Sequence, residues 1–163
     1  MSDLAARIRA HLEREAAEGR LTVLAASERA WDLMVPSYWK ESISASLTLF
    51  ERSLRAESFF MRAPEENAGP AYRLLLQRNG SSRLWRFAAN EAGDTMLLAD
   101  VLTGCVTEDL LDQLLGGLVS LTDETYRPFF TLAYETALAE QVAKGGPGLD
   151  QPPPWARDVD SPR

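Results

Sequence analysis

Along residues 2–18, apolar side chains recur at Leu4, Ile8, Leu12 and Ala16 with His11 among them, and this three-to-four spacing predicts an amphipathic helix. Ser2 or Asp3 suits its cap and Gly19 its end. Beyond it the period changes to two. Trp31, Leu33 and Val35 alternate with Asp32 and Met34, predicting a short strand before a turn at Pro36-Ser37. Residues 20–29 show neither period and read as an extended connector. The alternation resumes in "SASLTLFERSLRAESFFM", residues 44–61, stops at Glu51-Arg52 and starts again, as in a β-hairpin.

With Glu51-Arg52 as a two-residue turn, Leu49 pairs with Leu54, Leu47 with Ala56, Ala45 with Ser58 and Ile43 with Phe60. These eight share one face, the predicted core side. A slip by one residue would exchange the faces of one strand and destroy the match. The other face carries Ser42, Ser44, Ser46, Thr48, Phe50, Arg55, Glu57, Phe59 and Met61. Phe50, Phe59 and Met61 are bulky apolar residues on an otherwise polar side. Either segment 20–40, with Trp31 and Trp39, covers them within the chain, or they form a contact surface.

Residues 64–79 predict a second helix, regular from somewhere between Pro64 and Gly69, with Tyr72, Leu75, Leu76 and Asn79 on one side and Asn79-Gly80 as its stop. A second hairpin follows around Glu91-Ala92-Gly93-Asp94, with Trp85, Phe87 and Ala89 on one face of its first strand. Thr107 caps a long last helix, helped by Glu108 and Asp109 at the positive end of the helix dipole. Leu110, Leu111, Leu114, Leu115, Leu118 and Leu121 form its stripe. Gly116-Gly117 weakens it, and a kink is expected at Pro128. The order is helix, three antiparallel strands, helix, two strands, long helix, an α+β sheet with helices against one face. Residues 1–143 are expected to form one domain and residues 144–163 a Pro/Gly-rich disordered tail.

Composition narrows the function. The formal charge of −7 opposes binding to a polyanion unless the arginines gather on one face. No apolar run reaches the length of a membrane span. The N-terminal "MSDLAARIRAHLERE" lacks a signal-peptide pattern, and the single Cys105 allows no internal disulfide, so a cytoplasmic location is expected.

The segments "RAPEEN", "YRLLLQRN", "GDTMLLADVL" and "LTDETYRPFF", in that order behind the first hairpin, carry a resemblance over roughly residues 30–140. The chain resembles the YbjN-type bacterial domain, a sensory-transduction regulator family whose fold is similar to that of type III secretion chaperones. The resemblance implies a small domain that dimerises and binds other proteins, holding an extended client segment against exposed sheet and apolar patches. It implies no catalytic residues.

Candidate chemistry is sparse. A Ser-His-Asp or Cys-His device would need His11, the only histidine, which lies on an apolar stripe. Cys105 has no partner cysteine and reads as a small apolar residue. Glu108, Asp109 and Asp112 fit a helix cap better than a metal site, and "RNGSSR" lacks the spacing of a phosphate loop. No metal or cofactor is expected. The function expected is a non-enzymatic, chaperone- or adaptor-like homodimer that binds a partner protein through its sheet surface and an edge strand. Phe50, Phe59 and Met61 are its contact residues, with Trp39 next. The alternative is single-stranded nucleic-acid binding through Arg52, Arg55 and Arg62 beside the same aromatics; a hydrolase using Cys105 or His11 ranks last.

Overall fold

In the computed structural model, which describes residues 2–146, 148 and 150, the two periodicities become the expected two layers. Helix α1 spans Ser2–Ala17, and Gly19 closes it at φ +76°, a left-handed conformation that glycine adopts without strain. Four strands follow: β1 (Thr22–Ala26), β2 (Ala30–Ser37), β3 (Glu41–Leu49) and β4 (Ser53–Met61). Helix α2 (Ala68–Ser81), strands β5 (Arg86–Ala89) and β6 (Thr95–Leu102), a 3-10 turn at Thr103–Cys105 and helices α3 (Glu108–Ala133) and α4 (Glu135–Ala143) complete the described chain. All strands join one antiparallel sheet in the order β1-β2-β3-β4-β6-β5.

The first hairpin takes the expected register from Leu49–Leu54 to Ala45–Ser58, and the Phe50 N–H closes the turn on the Ser53 carbonyl at 2.8 Å. Its paired ladder ends there, although Ile43 and Phe60 are both fully buried. The inward face of the sheet is covered by Ile8 and Leu12 of α1, Ala71 and Leu75 of α2, and Leu111, Leu114, Leu118 and Phe129 of α3. Phe60 sits at the centre, edge-on to Phe87 (5.0 Å) and Phe129 (5.5 Å), geometries that the ring quadrupole favours.

The α+β class and order of elements stand, with several local corrections. Residues 22–26 of the expected connector are strand β1, and β2 continues through Pro36-Ser37 to a turn at residues 38–40. The stop at Asn79-Gly80 is passed: α2 runs to Ser81, and Leu76 points outward at 68% exposure while Ala71 takes the inner position. Helix α3 likewise runs on through Pro128, and the interruption falls at Tyr134 (φ −138°, ψ 37°). Thr107 caps α3 as expected, its hydroxyl accepting the Leu110 N–H at 3.1 Å. In the middle of α3, Gly117 is where the Trp85 ring approaches, and the indole N–H donates to the Leu114 carbonyl at 2.8 Å. The Pro/Gly-rich segment from residue 144 lies mostly outside the described residues.

Candidate functional site

Because α1, α2 and α3 bury one side of the sheet, the residues of opposite parity form an uncovered face. Asp32 and Ser44 are exposed there, and Met34, Ser46, Glu57, Phe59, Met96 and Leu98 are half-buried. A groove of about 460 Å³ crosses this face, lined by Leu24, Asp32, Leu33, Ser44, Ala45, Ser46, Glu57, Ser58, Phe59 and Met96. Phe59 and Met96 are cross-strand partners. Leu24 reaches the groove by alternation, since Val23 pairs with inward Leu33; the register shift between Val23 and Ala25 makes Leu24 the bulged residue, and it is 57% exposed.

The four expected contact residues do not form one patch. Phe59 is on the uncovered face and lines the groove. Phe50, 49% exposed, is on the hairpin turn, roughly 20 Å away along the strand. Met61 is fully buried, which corrects the expectation for it. The reason is a β-bulge: Phe59 pairs with Met96 and Met61 with Thr95, so Phe60 is the extra residue and both Phe60 and Met61 turn inward. Lys40 fixes the distortion, donating from Nζ to the Phe59 carbonyl at 3.0 Å and the Phe60 carbonyl at 2.7 Å. The Thr95 hydroxyl donates to the Met61 carbonyl at 2.8 Å. Trp39 is also corrected, since it belongs to the helix side: it stacks on Tyr126 at 6.1 Å, with the Arg127 guanidinium 5.9 Å from its ring. Asp123 of α3 holds the same turn, accepting the Ser37 hydroxyl at 2.6 Å and the Trp39 N–H at 3.3 Å.

The arginines considered for nucleic acid are not a basic site. Arg55 lies between Glu57 (3.6 Å) and Asp100 (3.9 Å), and Asp32 adds a further carboxylate to the same face. Arg52 is on the hairpin turn, and Arg62 follows β4 beyond the bulge.

The two sheet edges differ. At β5, Asn79 of α2 satisfies both backbone groups of Phe87. At β1, among the described residues, no hydrogen bond reaches the outer backbone of Thr22–Ala26. Residues 22–26 do not announce this edge, because a strand with only Val23 turned to the core shows no alternation.

A second concavity of about 710 Å³ lies between the end of α1, β2 and α3, over Leu21, Val35, Leu115 and Val119. Its polar rim includes Glu15, Arg20 and Asp112. His11, 1% exposed, stands close by. Arg14 Nη2 is 3.0 Å from His11 Nδ1, and a guanidinium only donates, so Nδ1 accepts and the ring proton belongs on Nε2, 3.1 Å from Asp112 Oδ1. Arg20 grips Glu15 with two bonds, at 2.5 and 2.6 Å. Those hydrogen bonds first, then the Arg20 charge, hold the Glu15 carboxyl below the ordinary glutamate range, against the opposing effect of burial. The donor atoms of His11, Glu15 and Asp112 lie within 4.8 Å of one another, as metal ligands could. Arg20 already pairs with Glu15 and Arg14 with His11 Nδ1, and the Asp112 side chain is exposed, so the cluster reads as a polar tie between α1 and α3 at the rim of the cleft. Cys105 is exposed in the turn before α3 and does not line the cleft.

Among the described residues, no helix is long and apolar enough to cross a membrane. An uncharacterised protein of Mycobacterium tuberculosis is 27% identical over 107 residues, 66% of this chain and 58% of that protein. One of Mycobacterium leprae is 24% identical over the same shares. The chain thus spans less than two thirds of the curated relatives it matches. Among solved structures, a chain of the ExsC–ExsE complex aligns over 76% of this chain and 93% of its own, with 18% identity and a TM-score of 0.54, which establishes a shared fold. The family model named YbjN, described as "putative bacterial sensory transduction regulator", matches residues 5–131, and the chain belongs to that family.

Proposed function

We propose that this domain is a non-enzymatic protein-binding module, chaperone- or adaptor-like, that receives an extended segment of a partner protein on the uncovered face of its sheet. The observation that carries the reading is the groove in which Phe59, Met96 and Leu24 converge beside an unpaired edge strand. Main-chain groups of β1 would supply hydrogen bonds, and the groove would choose the side chains. Strand β1 is short and bulged, features that suppress indiscriminate pairing, so affinity must come from side chains as well. Phe59 is the anchor in this reading, and Phe50 extends the surface at the hairpin tip. The ExsC–ExsE structure, a complex of two proteins with a chain of this fold, lends general support. The protein acts as a homodimer in the cytoplasm on the same reading.

A photo-crosslinking amino acid placed at Phe59, Phe50 or, as control, the exposed Glu13 of α1 tests it in the source cell. Expected is an adduct to one partner protein from position 59, absent from position 13 and lost when Leu24→Asp is added. Equal adducts from all three positions, or none from position 59, would overturn it. Light scattering of the purified chain decides the oligomeric state.

A further inference from the structure

Residues 67–90 contain four arginines, Arg73, Arg78, Arg83 and Arg86, and no aspartate or glutamate. The remaining 13 basic and 24 acidic residues leave −11 on the rest of the chain, so the charge is sharply divided. This stretch is α2, its exit and β5, and the structure leaves the division uncompensated. Arg73, Arg83 and Arg86 are exposed, and among the described residues none of the four makes an ion pair. Leu76, one turn along α2 from Arg73, is 68% exposed, and Gly80, one turn further, has open space where a side chain would stand.

We propose that the outer side of α2 with its exit at Arg83 is a second docking surface, separate from the sheet groove, for an acidic protein segment that carries apolar residues among its carboxylates. Arginine is suited to this because its planar fork takes a carboxylate through two parallel bonds. Leu76 supplies the apolar contact that a purely electrostatic surface lacks. Single-stranded nucleic acid fits less well: Trp85 and Phe87 are buried, and Tyr72 is half-buried with its hydroxyl on the Gly93 carbonyl, so no ring of residues 67–90 is free to stack on a base. A polyanion would also run off four arginines onto a surface of opposite preference. A second copy docked by two-fold symmetry would set arginines against arginines.

Fluorescence anisotropy on the full chain at physiological salt tests the surface with three labelled probes: a peptide of Glu-Glu-Leu repeats, a peptide of Lys-Lys-Leu repeats and an oligothymidine strand. The acidic peptide is expected to bind, and the other two at least about tenfold more weakly. Arg73→Glu combined with Arg83→Glu should weaken the acidic peptide by about tenfold or more, and Leu76→Ser by several-fold. Phe59→Asp should leave it unchanged, so the two surfaces are judged independently. These positions are exposed, and circular dichroism should match the native protein. The inference is overturned if the basic peptide binds as well as the acidic one, if the double reversal changes nothing, or if oligothymidine binds more tightly with the same arginine dependence. A dimer that the double reversal dissociates would overturn it too, since the occupant would then be another copy.

Discussion

Asn79 meets Phe87 as a neighbouring strand would: its side-chain oxygen accepts the Phe87 N–H at 2.7 Å, and its Nδ2 donates to the Phe87 carbonyl at 3.0 Å. One carboxamide on a helix thereby fills both outward backbone groups of Phe87 in the sheet's last strand. Asn79→Ala leaves both backbone groups of a strand without partners, at a cost of about 1–3 kcal/mol. Urea denaturation should show that loss, and light scattering should show new association that a free β5 edge allows. An unchanged midpoint would mean that water replaces the carboxamide without penalty.

The bulge in β4 makes neighbouring residues respond differently. Met61→Ala removes a fully buried side chain and should cost about 2–5 kcal/mol. Phe59→Asp, on the uncovered face, should cost no more than about 1 kcal/mol while abolishing the crosslinking-defined partner. A reversed order of stabilities would put Phe59 in the core and remove the proposed anchor.

Lys40 is a structural cation. Its ammonium bridges two carbonyls of the bulge, and hydrogen bonds to charged groups are worth about 1.5–3 kcal/mol. Lys40→Met should destabilise the protein by that order and speed amide exchange in residues 58–62 ahead of the rest of β4. Uniform exchange across the strand would show that the bulge holds without it.

Gly116 and Gly117 sit in mid-helix, where glycine is about 1 kcal/mol worse than alanine. A Cβ at Gly116 meets nothing, and one at Gly117 lies at ordinary contact distance, 3.5 Å from Trp85. Gly116→Ala should raise the melting temperature by a few degrees; a fall would show that the cleft beside it needs the bare backbone.

Acid should loosen the tie between α1 and the following turn. The folded-state pKa of Glu15 is lowered, so the unfolded chain binds the extra proton first as pH falls. The stabilisation is present above the ordinary glutamate pKa of about 4.3 and is lost as pH drops toward the folded value. A plot of stability against pH for Glu15→Gln should therefore be flatter than the native plot below that point. Parallel curves would show that the Arg20 pair contributes nothing measurable.

Much of this architecture was legible in the residues. The β3–β4 register followed from two apolar faces that match only one way, and the α3 cap from Thr107 before two acids. What escaped notice has physical causes. Strand β1 turns only Val23 to the core, so burial never imprinted a period of two upon it. Met61 lies past a bulge, which breaks parity without leaving a glycine or proline to mark it. Trp39 looked like a surface aromatic until Asp123 and Tyr126, more than eighty residues later, came into place beside it. The pairing of His11 with Asp112 is equally remote in the chain.

Because Asn79 occupies both outward backbone groups of Phe87 while, among the described residues, those of β1 have no partner, the two ends of the sheet are unequal hosts for a guest strand. A guest or a twin is steered to the β1 end, and a ribbon growing from it meets a capped position in the middle of β5. Such a module can lend its edge to a partner without seeding a fibre.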